Sequence, residues 1–218
     1  MQNRFMTPKI KVLHLSESPE FSIVTPLKTG DSISYATKDS VFKCEIPFNW
    51  ISVESDNNVM KNFEIGFFEL LNVKQLATHV IKIDNDTEWT EDTLEEMSFV
   101  LTNSDDNVGY SYCSFAYKGA INNSFPAIDF NGEKLKQGNY ISSNSMFKSK
   151  VIFDIGLVTD DQYIRLLDWA FLLKCLKNGY IGKPSAGFFT AYSSKDSISA
   201  RSTEDYNIKK ERVMKGFL

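Results

Sequence analysis

The sequence has little cysteine, since Cys44, Cys113 and Cys175 are its only three among 218 residues. They form no C-x-x-C pair, and an odd number of distant cysteines fits neither a disulfide framework nor a zinc site. We therefore expect reduced thiols and a cytoplasmic location. The chain also has no apolar run near the roughly 20 residues that a membrane helix needs, and its first residues lack the apolar segment of a secretion signal. We expect no membrane span, whereas peripheral contact with a membrane stays open.

An excess of positive charge is absent as well. Lys and Arg number 24 against 28 Asp and Glu, which gives a net charge of −4. No overall basic field attracts nucleic acid, so we expect no nucleic-acid partner. The hydrophobic fraction of 42% is typical of a soluble globular protein, and no internal repeat or Pro/Gly-rich linker divides the chain. We predict one domain over residues 1–218, and no sequence feature indicates an oligomeric state.

What the chain does contain is an alternation of segments with strand and helix periods. The predicted strands cover residues 9–15, 21–27, 48–54, 78–84, 108–117 and 181–192. The predicted helices cover residues 31–43, 59–73, 90–103, 149–156, 161–179 and about 201–218. Thr90 is the predicted N-cap of the third helix, and Asn178-Gly179 is the predicted C-cap of the fifth. This alternation predicts an α/β fold with a mixed, mainly parallel sheet flanked by helices on both faces.

Polar residues follow three of the predicted strands, in the segments "VTPLKTG", "VESDNN" and "IDNDTEW". Ligands of such sheets bind beyond the carboxyl ends of the strands, so these segments predict a binding site. Asp84 and Asp86 can offer two oxygen ligands to a divalent ion, which in turn clamps the oxygens of a diphosphate. An Asp-x-Asp pair is weakly specific on its own, because Asp and Asn are also favoured in turns.

Six segments, in order along the chain, resemble the motifs of family 2 glycosyltransferases. The segment "FSIVTPLKTGDSISYATKDSV" resembles their first strand, turn and helix, and "WISVESDNN" resembles their second strand. The segment "FEIGFFELL" is similar to their Arg-Asn-x-Gly helix, and "IKIDNDTEWTEDTLEEM" to their Asp-x-Asp strand with its helix. The segment "NYISSNSMFKSKVIFDIG" resembles their acceptor-side segment, and "LLDWAFLLKCLKNGYIG" resembles the helix that bears the catalytic acid. The matches cover nearly the whole chain.

The resemblance implies a GT-A fold and an inverting, hexosyltransferase-type enzyme that requires Mn²⁺ or Mg²⁺. The donor would be a nucleotide-diphosphate sugar and the acceptor a hydroxyl, for which a glycan or a lipid-linked glycan is compatible. Residues of about 1–104 would bind the nucleotide sugar, and residues of about 105–200 would form the acceptor side. By position, the nucleotide-sugar pocket would be lined by Thr25, Pro26, Glu54, Asp56, Asp84 and Asn85. Asp86 and Asp84 would bind the metal, Asp168 would be the general base, and Ser143, Asn144 and Trp169 would lie on the acceptor side.

Two features of the chain bear on these roles. Asp168 lies in the apolar stretch "LLDWAFLL", where desolvation is expected to raise its pKa towards that of a useful base. Other positions depart from the resemblance: Phe63-Glu64-Ile65-Gly66 stands in place of Arg-Asn-x-Gly, and Ser194 stands where many members have His. A third metal ligand is therefore either missing or supplied by water or phosphate. Trp89 and Trp169 are candidates for stacking on sugar rings.

Structural alternatives accompany the site residues. Glu54 and Asp56 could instead be turn residues that cap the helix from Val59. Asp168 could be an exposed helix position paired with Arg165 or Lys174.

Alternatives also exist for the base and the function. Asp161 is the reserve candidate for the base, although it and Asp160 fit a helix cap better. The long loop 118–139 is expected to cover the donor or the acceptor. A non-catalytic nucleotide-sugar-binding relative is the alternative function. A sugar nucleotidyltransferase fits less well, because "TPLKTGDS" lacks a Gly-rich phosphate loop with Arg and Lys.

Overall fold

The computed structural model describes residues 7–193 and 206–218. Its strands are β1 (Lys9–His14), β2 (Phe21–Leu27), β3 (Phe48–Glu54), β4 (His79–Lys82), β5 (Thr87–Trp89), β6 (Val108–Gly119), β7 (Asn123–Phe125), β8 (Met146–Lys148) and β9 (Ile181–Ser193). Its helices are α1 (Tyr35–Val41), α2 (Val59–Asn72), α3 (Thr93–Thr102), α4 (Gly132–Gln137), α5 (Ser149–Ile155), α6 (Leu167–Lys177) and α7 (Tyr206–Phe217). No helix in these parts of the chain combines the length and apolar character needed to cross a bilayer.

The strands form one mixed sheet with the order β1-β3-β2-β4-β8-β6-β9-β5, and β7 pairs with β6 at its side. Strand β2 is parallel to both β3 and β4, and β6 is parallel to β9. The short strand β8 is antiparallel to β4 and β6 and joins the two parallel groups. The predicted nucleotide-sugar and acceptor halves therefore share a continuous sheet. The mixed α/β architecture agrees with the sequence prediction.

Helices cover both faces of this sheet. Helices α2, α5, α6 and α7 pack on one face, where Phe67 and Trp169 are among the buried core residues. Helices α1 and α3 pack on the other face around Trp50 and Met97. Successive side chains of a strand point to opposite faces, so Val80 of β4 faces the first core and Ile81 faces the second. By the same alternation, the side chain of Lys82 lies on the face of the sheet that α2 and α6 cover.

The predicted elements are confirmed with three corrections. The N-cap of α3 is Asp92, in the left-handed region at φ 63°, rather than Thr90. The Thr90 hydroxyl donates instead to the carbonyl of Phe188, which ties it to β9. The predicted helix 161–179 is broken by Arg165 at φ 78°, so a 3-10 turn over Asp161–Tyr163 precedes α6.

The third correction is that the sequence analysis did not predict four short elements, which are β5, β7, α4 and β8. Each is too short to show a strand or helix period. The predicted C-cap at Asn178 is confirmed, with Gly179 at φ 83°. The predicted C-terminal helix is described from Tyr206, and its first residues lie outside the described ranges.

Gly66 sets the distance between α2 and the sheet, which gives a first prediction. A Cβ atom at this position would lie 2.5 Å from Cγ1 of Val24 and 3.1 Å from Cγ2 of Val53. We expect Gly66→Ala to lower the free energy of unfolding by about 1–3 kcal/mol, because overpacking forces the helix off the sheet. Urea titration measures this change. Gly138→Ala is the control, since no atom lies within 4 Å of its added Cβ; equal stability of the two variants would contradict the prediction.

Candidate functional site

The acidic turn after β4 is fixed against the loop that follows β2. Asp84, Asn85 and Asp86 follow β4 after one further residue, Ile83. The amide of Ser34 donates to the carbonyl of Asn85 at 2.9 Å, and Nδ2 of Asn85 donates to the carbonyl of Ser32 at 3.1 Å. These bonds hold the turn at the carboxyl edge of the parallel strands, where ligands of such sheets bind.

The Asp84 carboxylate is held on both oxygens. Its Oδ1 accepts a hydrogen bond from the ammonium group of Lys82 in an ion pair. Its Oδ2 accepts from Oγ of Ser143 at 3.4 Å and from Nδ2 of Asn144 at 3.2 Å. The backbone amide of Asp84 also donates to Oδ1 of Asn144 at 3.0 Å. The structure thus brings Ser143 and Asn144, which were predicted on the acceptor side, against Asp84, and both carboxylate oxygens accept hydrogen bonds.

The Asp86 carboxylate is in a different state. It is half-buried, and burial together with the nearby Asp84 charge raises its pKa to about 6. No side chain within the described ranges donates a hydrogen bond to it. A carboxylate that is desolvated, close to a second negative charge and short of donors favours a proton or a cation. Asp86 is therefore the carboxylate of this turn that is available to a ligand.

Asp168 reaches the same region from α6, where it lies in the first turn of the helix. Its Oδ2 accepts a hydrogen bond from Nδ2 of Asn139 at 3.0 Å. Burial raises the pKa of Asp168, and the positive charge of Lys82 partly opposes this shift. The alternative pairing with Lys174 is not made, because that ammonium group donates to the carbonyl of Gly156 at 3.0 Å. Asp168 is thus a half-buried carboxylate with a raised pKa.

A cleft lies between α2 and α6, and Asp168 is the carboxylate that lines it. It is lined by Met60, Phe63, Lys82, Ser142, Ser143, Phe147, Asp168, Phe171 and Leu172. Lys82 and Ser143 line the cleft, and both donate hydrogen bonds to Asp84, so the Asp84 carboxylate lies beside it. Asp86 belongs to the same turn as Asp84 but is not among the residues that line the cleft. Burial raises the pKa of Tyr117 to about 12, and the charges of Asp168, Asp84 and Asp86 add to this shift.

The residues predicted at the first strand end are less exposed than expected. Thr25 is completely buried, and its Oγ1 accepts a hydrogen bond from Nε1 of Trp50 at 2.9 Å. Pro26 is also buried in β2. Neither side chain faces the cleft. A ligand at the end of β2 would therefore contact the loop that follows this strand.

The residues predicted at the second strand end lie at the surface. Oε1 of Glu54 accepts from the amide of Gly30 at 3.0 Å, which ties the ends of β2 and β3 together. Asp56 is exposed. Neither caps α2, since the N-cap is Asn58, whose side chain accepts from the amide of Lys61. The capping alternative for Glu54 and Asp56 is therefore wrong.

The two tryptophans expected to stack on sugars are core residues. Trp169 is completely buried and donates its Nε1 hydrogen to the carbonyl of Leu135 at 2.7 Å. Trp89 is buried against Phe189, with ring centroids 4.6 Å apart, and donates to Oγ1 of Thr87. Neither ring is exposed, which corrects the expectation that Trp169 lies on the acceptor side, because an aromatic ring can stack on a ligand only from the surface.

The reserve base and the long loop were also predicted to belong to the site. Oδ1 of Asp161, the reserve base, accepts from Nδ2 of Asn58 at 2.7 Å, while Asp160 caps the 3-10 turn as expected. The long loop 118–139 folds into β7 and α4, and Asn139 at its end contacts Asp168. Ser194 lies outside the described residues.

Sequence reasoning missed Lys82, Tyr117 and Asn139. Lys82 carried a usable signal, because it occupies an inward position in "HVIK", an otherwise apolar strand. A lysine at such a position is rare unless it is paired. Tyr117 and Asn139 carried none, since their roles arise only when the second half of the sheet and the loop fold back on the first.

The described residues offer few side chains that could bind a divalent cation. Within residues 7–193 and 206–218, no three His, Cys, Asp or Glu side chains lie together as a metal site. Mg²⁺ is commonly held by one or two carboxylates plus substrate phosphates rather than by a complete protein cage. Asp86, the available carboxylate of the turn after β4, fits an ion that arrives with a diphosphate. It does not fit an ion bound to the protein alone.

Comparison with known proteins finds similar structures but no similar sequences. No family model matches the chain, and no curated protein sequence matches it. S. aureus TarS 1-349 in complex with UDP superposes with a TM-score of 0.52 at 14% identity, over 90% of this chain and 70% of that one. The same protein with UDP-GlcNAc gives 0.54 at 13% identity, over 89% and 65%. GalNAc-T7 with UDP, GalNAc and Mn²⁺ gives 0.54 at 10% identity, over 92% of this chain and 48% of that one.

These similarities concern the fold. At 10–14% identity, the superpositions establish that the chain has the α/β fold of GT-A-type glycosyltransferases. The chain spans about half of the GalNAc-T7 chain and 65–70% of the TarS chains. The predicted fold class is confirmed.

Proposed function

We propose that this chain is an inverting glycosyltransferase of the family 2 type, which moves a sugar from a nucleotide-diphosphate sugar to a hydroxyl group. The observation that carries the proposal is that Asp168 lines one cleft together with Lys82 and Ser143. Both of those residues donate hydrogen bonds to Asp84, which shares its turn with Asp86. A base on one side of the anomeric carbon and charge stabilisation on the other are what an inverting transfer requires.

In this reaction the acceptor oxygen attacks the anomeric carbon, and the bond from that carbon to the diphosphate oxygen breaks. Asp168 takes the proton of the acceptor hydroxyl, and its raised pKa makes it a stronger base than an ordinary aspartate. Asn139 orients the carboxylate by donating a hydrogen bond to Oδ2. A Mn²⁺ or Mg²⁺ ion, when bound, neutralises charge on the leaving diphosphate, and Asp86 would hold it.

The nucleotide would lie over the ends of β2 and β3. The loop from Lys28 to Ser34 is fixed there by Glu54 and Asn85, through bonds to Gly30 and Ser32. Backbone groups of this loop and the exposed Asp56 would contact the nucleoside. Since TarS binds UDP and UDP-GlcNAc and GalNAc-T7 binds UDP, a uridine nucleotide is the first donor to test.

The two halves of the chain would have different roles in the reaction. Residues of about 1–104 would bind the donor, and residues of about 105–200 would form the acceptor side, with the loop 118–139 over the site. All three cysteines are free, which is consistent with a reducing compartment such as the cytoplasm.

Isothermal titration calorimetry with UDP, with and without Mn²⁺, tests the proposal. We expect UDP to bind in the presence of Mn²⁺ and to bind more weakly without it, because the ion would bridge Asp86 and the diphosphate. UMP, which lacks the second phosphate, is the matched control and should gain little from Mn²⁺. If no nucleoside diphosphate binds at millimolar concentration under either condition, the proposed function is wrong.

A non-catalytic nucleotide-sugar-binding protein is the second candidate. It is favoured by Phe63 and Glu64, which replace the Arg-Asn pair of the resemblance, and Glu64 is taken up in an ion pair with Lys61. The two candidates are separated by slow hydrolysis of a bound UDP-sugar, which an enzyme performs and a binding protein does not. Release of free sugar above the rate without protein would exclude the second candidate.

A further inference from the structure

Lys82 is an unusual residue for the end of a buried strand. Its side chain is 3% exposed, and it lines the cleft together with Phe63 and Asp168. An ammonium group in such a position is costly unless it is paired. Its ammonium group pairs with Asp84 and donates no second hydrogen bond within the described residues, although it carries three hydrogens.

The ion pair limits what Asp84 can do. An ionised carboxylate offers about four lone-pair sites. Lys82, Ser143 and Asn144 fill three of those of Asp84. The ammonium group of Lys82 is already hydrogen-bonded to the Asp84 carboxylate. A divalent cation that bound the same carboxylate would therefore lie close to this positive charge. Because like charges at this separation repel strongly in a partly buried site, the two cations compete for Asp84.

The positive charge lies at a different position from that in the family 2 motif. In that motif the charge belongs to the Arg of the Arg-Asn-x-Gly helix, whereas Phe63 stands at this position on α2 in the present chain. Phe63 and Lys82 line the same cleft. The strand thus brings to the cleft a positive charge that the helix does not carry.

Resting on the proposed function, we propose that Lys82 is a resident cation that occupies Asp84 in place of a metal ion. Asp84 is then a positioning group that holds Ser143 and Asn144 at the site, rather than the metal ligand that the sequence suggested. Asp86 alone is left to contact a divalent cation, which binds together with the diphosphate. The protein without nucleotide has only weak affinity for Mn²⁺.

Removal of the Lys82 charge tests this role directly. Mn²⁺ binding is measured by electron paramagnetic resonance in the absence of nucleotide, for the wild type, Lys82→Met and Lys82→Gln. We expect both variants to bind Mn²⁺ at least about tenfold more tightly, because Asp84 and Asp86 then form an uncompensated carboxylate pair. Lys82→Gln keeps a polar group in the cleft and serves if Lys82→Met does not fold.

Two control variants separate the proposed role from general effects of a lost charge. Lys61→Met also removes a lysine from an ion pair, with Glu64 on α2, and should leave Mn²⁺ binding unchanged. The double variant Lys82→Met/Asp84→Asn should lose the affinity gained by Lys82→Met. Retention of that gain without the Asp84 carboxylate would contradict competition at Asp84.

The outcomes distinguish this inference from the proposed function. Equal or weaker Mn²⁺ binding by both Lys82 variants, with UDP binding intact in the wild type, would overturn the role of Lys82 alone. Tighter Mn²⁺ binding by these variants, with no UDP binding by the wild type, would support the role of Lys82 and contradict the proposed donor. A purely structural role of Lys82 predicts loss of stability without any gain in metal affinity.

Discussion

Asp168→Asn is expected to lower the rate of sugar transfer by about 10²- to 10⁴-fold, the usual contribution of a general base. Binding of UDP should stay nearly the same, because this side chain would contact the acceptor and not the nucleotide. The substitution keeps the shape of the residue, and an amide oxygen can still accept the hydrogen bond from Asn139. What it removes is the ability to take a proton. Loss of kcat with little change in UDP affinity is therefore the expected pattern.

Initial rates with a UDP-sugar and calorimetry with UDP measure the two effects separately. Asp161→Asn is the matched control, since it removes a carboxylate just before the same helix and is expected to retain activity. If Asp168→Asn keeps full turnover, or if Asp161→Asn loses as much, the base has been assigned to the wrong residue.

The pH dependence of the wild type follows from the direction of the Asp168 shift. A general base works only when it is deprotonated, and burial raises the pKa of Asp168 above its ordinary value of 3.8. The rate should therefore fall as the pH is lowered, and this fall should begin at a higher pH than for an exposed aspartate. The residual rate of Asp168→Asn should lack the part of this fall that Asp168 causes and keep only the part that follows from protonation of Asp86.

The elements with a clear period could be predicted from the sequence, and so could the position of the acidic turn that forms part of the candidate site. The alternation of strands and helices fixes which segments end at the same edge of the sheet, so Asp84 and Asp86 could be placed there before the structure was known. The apolar surroundings of Asp168 likewise predicted a raised pKa, which the structure bears out. These features depend on local pattern alone.

The features that failed depend on which neighbour a side chain meets. Trp169 follows Asp168 along the helix, yet the helical rotation of about 100° between neighbours turns it into the core while Asp168 lines the cleft. Thr25 lies near the end of β2, yet its hydroxyl oxygen accepts a hydrogen bond from Trp50 of the adjacent strand. The ion pair of Lys82 also requires the turn after β4 to fold back. No local pattern encodes these contacts.

Asp86→Asn is expected to have opposite effects on donor binding and on stability. Loss of the one available carboxylate should weaken Mn²⁺-assisted UDP binding by about 10- to 100-fold, as for the loss of a group that supports a metal site. Binding of UDP without Mn²⁺ should change little. In the wild type, the gain from Mn²⁺ should disappear as the pH falls below about 6, where Asp86 takes up a proton. Calorimetry at pH 5 and pH 7 measures both changes.

The effect on stability follows from the same raised pKa. Asp86 has a pKa of about 6 in the folded protein against 3.8 as its ordinary value, so folding disfavours its ionised form. The protonated form stabilises the fold below pH 3.8, and this contribution is lost as the pH rises to about 6. At pH 7 the ionised carboxylate thus costs stability, and Asp86→Asn should raise the free energy of unfolding by about 1–2 kcal/mol after allowance for solvent screening.

Urea unfolding at pH 7 and pH 4 measures this gain, which should be largest at pH 7 and small at pH 4. A carboxylate kept only for structure would show the reverse, because its removal would destabilise the protein. Gain of stability with loss of Mn²⁺-assisted donor binding would identify Asp86 as a residue retained for ligand binding at the expense of the fold. If Asp86→Asn is less stable at pH 7 and binds UDP with Mn²⁺ as well as the wild type, Asp86 is not part of the donor site.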